Sequence, residues 1–357
     1  MRKKRYLVLA DGSVFEGFAF GADTEKAGEL VFATGMEGYI ETLTDPSYCG
    51  QIVMQTFPLV GNYGIIPGDF EGKPLLHGYV VREYCDYPSN FRCEYELDRF
   101  LKENAIPGIY GVDTREITNL IREKGVVNAV ICDNPEQDLS KLQAYKVTDA
   151  VKTASTKEIT EYLPEKEERH VVLIDYGAKM NIVRSLVKRG CRVTAVPYDT
   201  PAQKILGMNP DGIMLSNGPG DPADNVYSIE QLKKLLGKAP LFGICLGHQL
   251  TALADGGKTV KLKYGHRGGN QPCKNVSTGK CYITSQNHGY AVLGDSTTHG
   301  VESFINANDK TNEGMDYPEF NAFTVQFHPE ACSGPLDTDF LFDKFIKMME
   351  ENANAAL

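Results

Sequence analysis

The sequence lacks a hydrophobic run of membrane-spanning length, an internal repeat and a low-complexity tract. It is also poor in positive charge, because 37 lysine and arginine residues stand against 47 aspartate and glutamate residues, for a formal net charge of -10. An excess of negative charge disfavours contact with the phosphates of nucleic acid or with an anionic membrane surface. We therefore expect neither nucleic acid nor a membrane as a partner.

The nine cysteines form no recognisable framework. Their number is odd, they are scattered over a long chain, and no two of them have the Cys-x-x-Cys spacing typical of structural zinc sites. The pattern disfavours both a disulfide scaffold and a metal site, and it is typical of a protein in the reducing cytoplasm. We expect a cytoplasmic protein without a metal site.

A chain of 357 residues, of which 42% are hydrophobic, is long enough for two domains. Up to about residue 130, short alternating runs are separated by turn residues, which predicts a mainly β domain. Helices are predicted within it at 94–104 and from Asp113 or Thr114 to Lys124. A polar, charged stretch then marks a boundary. We predict an N-terminal α+β domain at 1–150, a linker at 151–169 and a second domain at 170–357.

From residue 170 onward, apolar runs alternate with helical patterns, which favours an α/β domain with an open, mostly parallel sheet flanked by helices. Strands are predicted at 171–175, 192–196, 212–216, 241–244, 281–284 and 322–327. Helices are predicted at 179–189, 229–236, 246–254 and 338–350. In such sheets the ligand site lies at the carboxyl ends of the strands.

One predicted strand ends at Cys245, in the sequence Gly-Ile-Cys-Leu-Gly-His-Gln at 243–249. A nucleophile on the sharp turn between a strand and a helix needs small neighbours, because the backbone there passes close to itself. Unsatisfied amide groups at the start of the helix also favour the thiolate. The pattern predicts a nucleophile elbow, and a buried structural cysteine is the alternative.

A cysteine nucleophile needs a base, and the base needs an orienting group. The sequence Phe-His-Pro-Glu at 327–330 offers both, because the proline favours extended geometry at His328 and residues two apart in an extended segment face the same side. Cys245, His328 and Glu330 are therefore the predicted triad. A structural role for His328 is the alternative. His248, three residues after the cysteine on the same helix, is the rival base.

The carbonyl that the thiolate attacks needs amide donors for its developing charge. The backbone N–H of Leu246 is one candidate, and Gly218, in a turn-rich loop after a predicted strand, is the other. The segments 218–223 and 257–259 only partly match nucleotide-binding loops, so we expect no cofactor in this chain. A polar cluster at 286–290 is predicted to be a loop.

These three segments together, 217–220, 243–249 and 328–330, resemble the class I (triad) glutamine amidotransferase family. The resemblance implies glutamine hydrolysis through a γ-glutamyl thioester on Cys245, with His328 as the base and Glu330 orienting it. It also implies that Gly218 and Leu246 supply the amide donors. The residues implied to hold the glutamine are Gly220, Gln249, Asn287, Gly289 and Tyr290.

The N-terminal motifs at 34–39, 45–48, 61–64 and 111–115 resemble the small subunits of carbamoyl phosphate synthetases, so the resemblance covers essentially the whole chain. It implies that Ser47 reaches the glutamine, and that ammonia passes to a large subunit, which binds ATP and makes carbamoyl phosphate for arginine or pyrimidine synthesis. The sequence departs from the family pattern at Cys332, Ser333 and Leu336, just after the His-Pro-Glu segment, and at Tyr290. Two other functions remain open: a freestanding glutaminase or γ-glutamyl hydrolase, and a non-catalytic interaction subunit.

Overall fold

The computed structural model describes residues 3–355, so the outermost residues of the first and last predicted domains, 1–2 and 356–357, lie outside it. The internal contacts of the chain divide it into two compact units, 1–150 and 151–357. None of the helices in the described part of the chain is both long and apolar enough to cross a membrane.

The N-terminal unit is built around a closed barrel of seven strands in the order β1-β2-β8-β6-β4-β3-β9, and β5 and β7 form a separate parallel pair. The strands are β1 (Lys4–Leu9), β2 (Val14–Gly21), β3 (Lys26–Ala33), β4 (Gln51–Gln55), β5 (Leu59–Val60), β6 (Gly78–Val81), β7 (Glu83–Tyr84), β8 (Pro107–Tyr110) and β9 (Val127–Cys132). Closing the sheet into a barrel leaves none of the seven barrel strands with an unpaired edge. The prediction of a mainly β domain is confirmed.

Four helices accompany the barrel: α1 (Tyr39–Thr44), α2 (Leu97–Glu103), α3 (Thr114–Lys124) and α4 (Leu139–Ala144). Helix α3 confirms the prediction at both ends. The Asp113 carboxylate accepts hydrogen bonds from the backbone N–H groups of Arg115 and Glu116, and Gly125 ends the helix at φ 95°. Helix α2 lies within the range predicted for it but is shorter.

The C-terminal unit continues the chain with helices and strands in alternation. Its helices are α5 (Ala150–Ala154), α6 (Met180–Lys188), α7 (Ala202–Leu206), α8 (Val226–Leu235), α9 (Leu246–Ala254) and α10 (Phe340–Ala355). Its strands are β10 (Thr160–Tyr162), β11 (Arg169–Asp175), β12 (Cys191–Pro197), β13 (Gly212–Leu215), β14 (Leu241–Ile244), β15 (Thr259–Asn275), β16 (Cys281–Val292), β17 (Val301–Asn306), β18 (Asn312–Tyr317) and β19 (Ala322–Val325).

All ten strands belong to one sheet, in the order β10-β12-β11-β13-β14-β19-β18-β17-β15-β16. The five strands from β12 to β19 in this order are parallel, as predicted, and the remaining five pair antiparallel at the two sides. The prediction of a loop at 286–290 is wrong, because these residues continue β16 and pair with β15. The polar side chains that suggested a loop are buried in the sheet, where hydrogen bonds satisfy them.

Residues 151–169, which the sequence analysis treats as a linker, instead fold into the C-terminal unit. Val151 of α5 is buried in the core, and β10 pairs antiparallel with β12. The charged composition that suggested a linker has a different cause. Glu161 and Glu167 both form ion pairs with Arg192, at the exposed side of the sheet.

The parallel strands are buried on both faces, as a doubly wound sheet requires. One face packs against α6 and α10, where Phe242 stacks on Phe323 with ring centroids 4.3 Å apart. The other face packs against α7, α8 and α9, with Leu241 and Leu250 in its core. Because β11, β13, β14 and β19 are parallel, the segments that follow them meet at one edge of the sheet.

Candidate active site

Cys245 sits at the sharp turn between β14 and α9, with φ 53° and ψ -101°. This backbone conformation is costly for a residue with a side chain, and such strain is concentrated at functional sites. Its N–H donates a hydrogen bond of 2.8 Å to the carbonyl of Val325, which fixes the turn against the end of β19. The strain and the position at the strand end are those of a nucleophile elbow.

The glycines on either side of the cysteine are needed for space. A Cβ atom on Gly247 would lie 2.6 Å from the carbonyl oxygen and the Cβ of Leu215, and one on Gly243 would lie 3.0 Å from the backbone of Gly247. The helix therefore starts in contact with the neighbouring strand. The expectation that the backbone passes close to itself here is confirmed.

His328 and Glu330 are in direct contact, with 2.6 Å between Nδ1 and Oε1 and both side chains fully buried. The backbone N–H of His328 donates to the carbonyl of Ser285, so a bridge to β16 fixes the segment. Because a carboxylate oxygen only accepts, Nδ1 carries the proton in this pair. Nε2 then presents a lone pair, and within residues 3–355 it has no hydrogen-bond partner.

Lys179, in the loop between β11 and α6, completes this cluster and was missed by the sequence analysis. Its Nζ lies 3.5 Å from Glu330 Oε1 and 3.3 Å from His328 Nδ1, and its side chain is only 11% exposed. Burial raises the pKa of Glu330, but the charges of His328 and Lys179 outweigh it and lower that pKa to about 2. Glu330 is therefore ionised at any physiological pH.

His248, the rival base, lies in a different environment. Its side chain is fully buried, and its Nδ1 is 2.8 Å from the hydroxyl oxygen of Thr324 on β19. Burial lowers its pKa to about 3, against a small opposing effect of Asn312. In the described structure no ion pair joins this ring to a carboxylate. His248 therefore lacks the orienting group that His328 has.

The two residues predicted to supply amide donors, Gly218 and Leu246, are in contact. Leu246 is the first residue of α9, where a backbone N–H has no acceptor within the helix, whereas the next amide, of Gly247, donates to the carbonyl of Ser216. Gly218 packs so closely that a Cβ atom on it would lie 2.7 Å from the Leu246 side chain and 2.6 Å from the carbonyl oxygen of Tyr176. The loop after β13 and the start of α9 thus form one cradle.

Of the residues implied to hold glutamine, Asn287 lies beside the nucleophile, and Gln249 and Tyr290 contact each other. The carbonyl of Asn287 lies 3.7 Å from the Cys245 sulfur, which places that part of β16 beside the nucleophile. Gln249 donates from Nε2 to the carbonyl of Tyr290 and to the side chain of Gln326, both at 2.9 Å. Both of its amide hydrogens are thus engaged, so Gln249 can offer a ligand only its oxygen.

The comparisons with known proteins identify the family. A family model described as "Glutamine amidotransferase class-I" matches residues 172–348, and one described as "Carbamoyl-phosphate synthase small chain, CPSase domain" matches residues 7–131. A carbamoyl phosphate synthase small chain of Bacillus cereus is 54% identical over 97% of this chain and 96% of its own length. The chain belongs to the carbamoyl phosphate synthase small-chain family.

Other members of the small-chain family are similar to it over the same extent. The small chain of Fusobacterium nucleatum is 52% identical over 98% of this chain and 99% of its own length. A protein described as the pyrimidine-specific small chain, from Halalkalibacterium halodurans, is 51% identical over 99% of both chains. The match therefore includes both compact units.

The resemblance to this family implies that three further residues hold the glutamine. Gly220 lies in the loop after β13, and Gly289 lies in β16 between His288 and Tyr290. Ser47 lies in the N-terminal unit, in a short turn where its N–H donates to the carboxylate of Asp45 at 2.9 Å. The roles of all three at the glutamine stay predictions.

Proposed function

We propose that this chain is the glutamine-hydrolysing small subunit of a carbamoyl phosphate synthase, with Cys245 as nucleophile, His328 as base and Glu330 as the group that orients the base. Family membership supports the activity. The observation that carries the residue assignment is the buried contact between His328 and Glu330 at the edge of the sheet where Cys245 adopts its strained turn.

The chemistry follows from the state of each group. His328 Nε2 accepts the thiol proton, and the thiolate attacks the side-chain carbonyl carbon of glutamine. The amides of Leu246 and Gly218 stabilise the oxyanion, and the imidazolium returns its proton to the leaving nitrogen, which departs as ammonia. Water, deprotonated by the same imidazole, then hydrolyses the thioester and releases glutamate. Because Glu330 stays ionised, it stabilises the imidazolium in both halves of the reaction.

The ammonia is the useful product in this proposal. In water at neutral pH it would be protonated and lose its nucleophilicity, so it passes to a large subunit, which binds ATP and makes carbamoyl phosphate from bicarbonate. The chain itself then needs no cofactor for hydrolysis. A cytoplasmic location, as predicted from the cysteine pattern, belongs to the same proposal.

The N-terminal unit is proposed to bind the large subunit, because the family model that matches it is the one specific to small chains. One of its loops holds Tyr87 and Phe91, which are 88% and 94% exposed. Aromatic side chains with this exposure are typical anchors of protein interfaces. Changing Phe91 to Ser should weaken binding of the large subunit in a titration, while glutaminase activity of the unbound chain stays unchanged. Unchanged binding would remove this loop from the interface.

The decisive test of the function is glutaminase activity of the full chain with and without its large subunit. We expect ammonia release from glutamine in the complex to be coupled to carbamoyl phosphate formation. Cys245→Ser should abolish the release of ammonia from glutamine. Free ammonia should still support synthesis in the complex carrying this variant, which shows that the complex is intact. Full turnover without any partner would favour a freestanding glutaminase or γ-glutamyl hydrolase, and no turnover in either state would favour a non-catalytic subunit.

A further inference from the structure

A second cluster of chemically active side chains lies outside the proposed triad, on the antiparallel side of the C-terminal sheet. It consists of His266 on β15, His288 on β16 and Glu313 on β18, and one ligand atom of each lies within 4.8 Å of the other two. His266 and His288 are direct cross-strand partners, so their side chains project from the same face of the sheet. Three strands thus bring three side chains that can bind a metal ion to one point.

Two of the three separations are near those between ligands of one metal ion. His266 Nδ1 lies 3.4 Å from Glu313 Oε1, and His288 Nε2 lies 3.9 Å from the same oxygen. Tetrahedral zinc with bonds of about 2.0–2.1 Å keeps its ligand atoms roughly 3.3 Å apart. The two imidazole nitrogens lie within 4.8 Å of each other, so metal binding requires His288 to move closer to the other two ligands.

Each histidine has an outer acceptor that can hold the ring proton away from the cluster. His288 Nδ1 lies 2.8 Å from the carbonyl oxygen of Tyr290, and His266 Nε2 lies 2.8 Å from a carboxylate oxygen of Asp309. Both of these oxygens only accept, so a neutral His266 that donates from Nε2 has its lone pair on Nδ1. His288 faces an acceptor at each nitrogen, Tyr290 at Nδ1 and Gln286 Oε1 at Nε2, and a neutral ring donates to only one of them. When it donates from Nδ1, Nε2 is free to bind a metal ion. Such outer partners are typical of metal-bound histidines.

The point where these atoms meet is closed to solvent. The side chain of Glu313 is fully buried, that of His288 is 1% exposed and that of His266 is 11% exposed. Within the described part of the chain, His266 Nδ1 and Glu313 Oε2 have no hydrogen-bond partner. Gln286 Oε1 lies 3.1 Å from His288 Nε2, beside the cluster. The buried carboxylate of Glu313 needs a positive partner, which is either a protonated His266 at 3.4 Å or a bound cation.

We propose that His266, His288 and Glu313 bind a divalent transition-metal ion, with Zn²⁺ as the ion that suits two imidazoles and a carboxylate. Gln286 or a water molecule supplies the fourth ligand. The site is separate from glutamine hydrolysis, which requires no metal. Its effect is structural, because one ion ties β15, β16 and β18 together, and His288 lies directly between Asn287 and Gly289.

The site reverses the expectation of no metal. That expectation rested on cysteine spacing, whereas these ligands come from three strands and from positions 266, 288 and 313, with no short motif to connect them.

The test is zinc binding by the full chain, purified without a polyhistidine tag, stripped with a chelator and titrated with Zn²⁺ against a chromophoric competitor. We expect one tightly bound equivalent in the wild type and a loss of at least about 100-fold in affinity in Glu313→Gln. Asp309→Asn, which changes only an exposed outer partner, should weaken binding by roughly 10- to 100-fold and keeps the test valid if Glu313→Gln does not fold. His299→Gln, a surface histidine outside the cluster, is the matched control and should bind as the wild type does.

Cysteine is the main competing ligand, so Co²⁺ substitution provides the second measurement. We expect visible absorption of tetrahedral cobalt without a thiolate charge-transfer band, unchanged in Cys245→Ser. A thiolate band that disappears in Cys245→Ser would place the metal at the nucleophile and overturn the proposal. It would also be overturned if the wild type binds no zinc, or if folded Glu313→Gln and Asp309→Asn bind it as the wild type does.

Discussion

Two fully buried histidines, one after β19 and one on α9, differ in the groups that surround their rings. His328 has a carboxylate at 2.6 Å, whereas His248 has the hydroxyl of Thr324 at 2.8 Å. A carboxylate accepts the Nδ1 proton and stabilises the charged imidazolium, but a hydroxyl does only the first of these. Burial disfavours the charged form of a histidine, and a fixed negative charge beside the ring offsets that effect.

The largest effect expected from this comparison is on catalysis. His328→Asn should lower the kcat of glutaminase by at least about 10³-fold, because the thiol loses its only base. His248→Asn keeps a group near Thr324 and should retain activity within roughly tenfold. Steady-state glutaminase assays of both variants in the complex measure the difference. If His248→Asn is the inactive variant instead, the assignment of His328 as the base is wrong.

The second effect separates two roles of Glu330, which are orienting the His328 ring and supplying a negative charge. Glu330→Gln keeps an oxygen that can accept the Nδ1 proton but removes the negative charge, so kcat should fall about 10²-fold with KM little changed. Glu330→Ala removes both and should be worse. Equal activity of the two variants would mean that neither the hydrogen bond nor orientation matters, and wild-type activity in Glu330→Gln would mean that the charge is unnecessary.

The third effect concerns Lys179, which lies on the carboxylate side of the pair. Lys179→Met removes a buried positive charge, so the pKa of Glu330 should rise while the group stays ionised at neutral pH. We expect a loss in kcat of about tenfold, and Lys179→Arg should recover much of it because it retains the charge. Failure of the arginine variant to recover activity, with normal folding by circular dichroism, would point to a role of the ammonium other than pairing with Glu330.

Local rules were sufficient for the elbow and for much of the parallel sheet. Glycine spacing around Cys245 predicted the close backbone approach, and the helix predicted from Asp113 or Thr114 to Lys124 has the ends of α3. The contact of His328 with Glu330 followed from the same reasoning, because two residues two apart in an extended segment face one side. In each case the residues that determine the local structure lie within a few positions of one another in the sequence.

The missed features depend on partners distant in the chain. Lys179 meets His328 across 149 residues, and nothing in its local sequence indicates this. Strands β15 and β16 were mostly missed because two register shifts interrupt the alternation and because buried polar residues imitate a loop. The cluster of His266, His288 and Glu313 was missed for the same reason, since pairing between strands assembles it.

The smallest effect is on stability and tests why His248 is inert. Its pKa of about 3 in the folded protein lies below the ordinary value of 6.5, so between these two pH values the unfolded chain binds a proton that the folded chain does not. The stability of the fold should therefore decrease as the pH falls from 7 to 5, with a contribution from this group of up to about 1.4 kcal/mol per pH unit. His248→Asn removes that contribution, so its stability should depend less steeply on pH even if the variant is less stable at pH 7.

Because the chain has no tryptophan, urea unfolding is best followed by circular dichroism. Equal slopes in the wild type and the variant would show that His248 is protonated in the folded protein, and burial would then not explain its inertness.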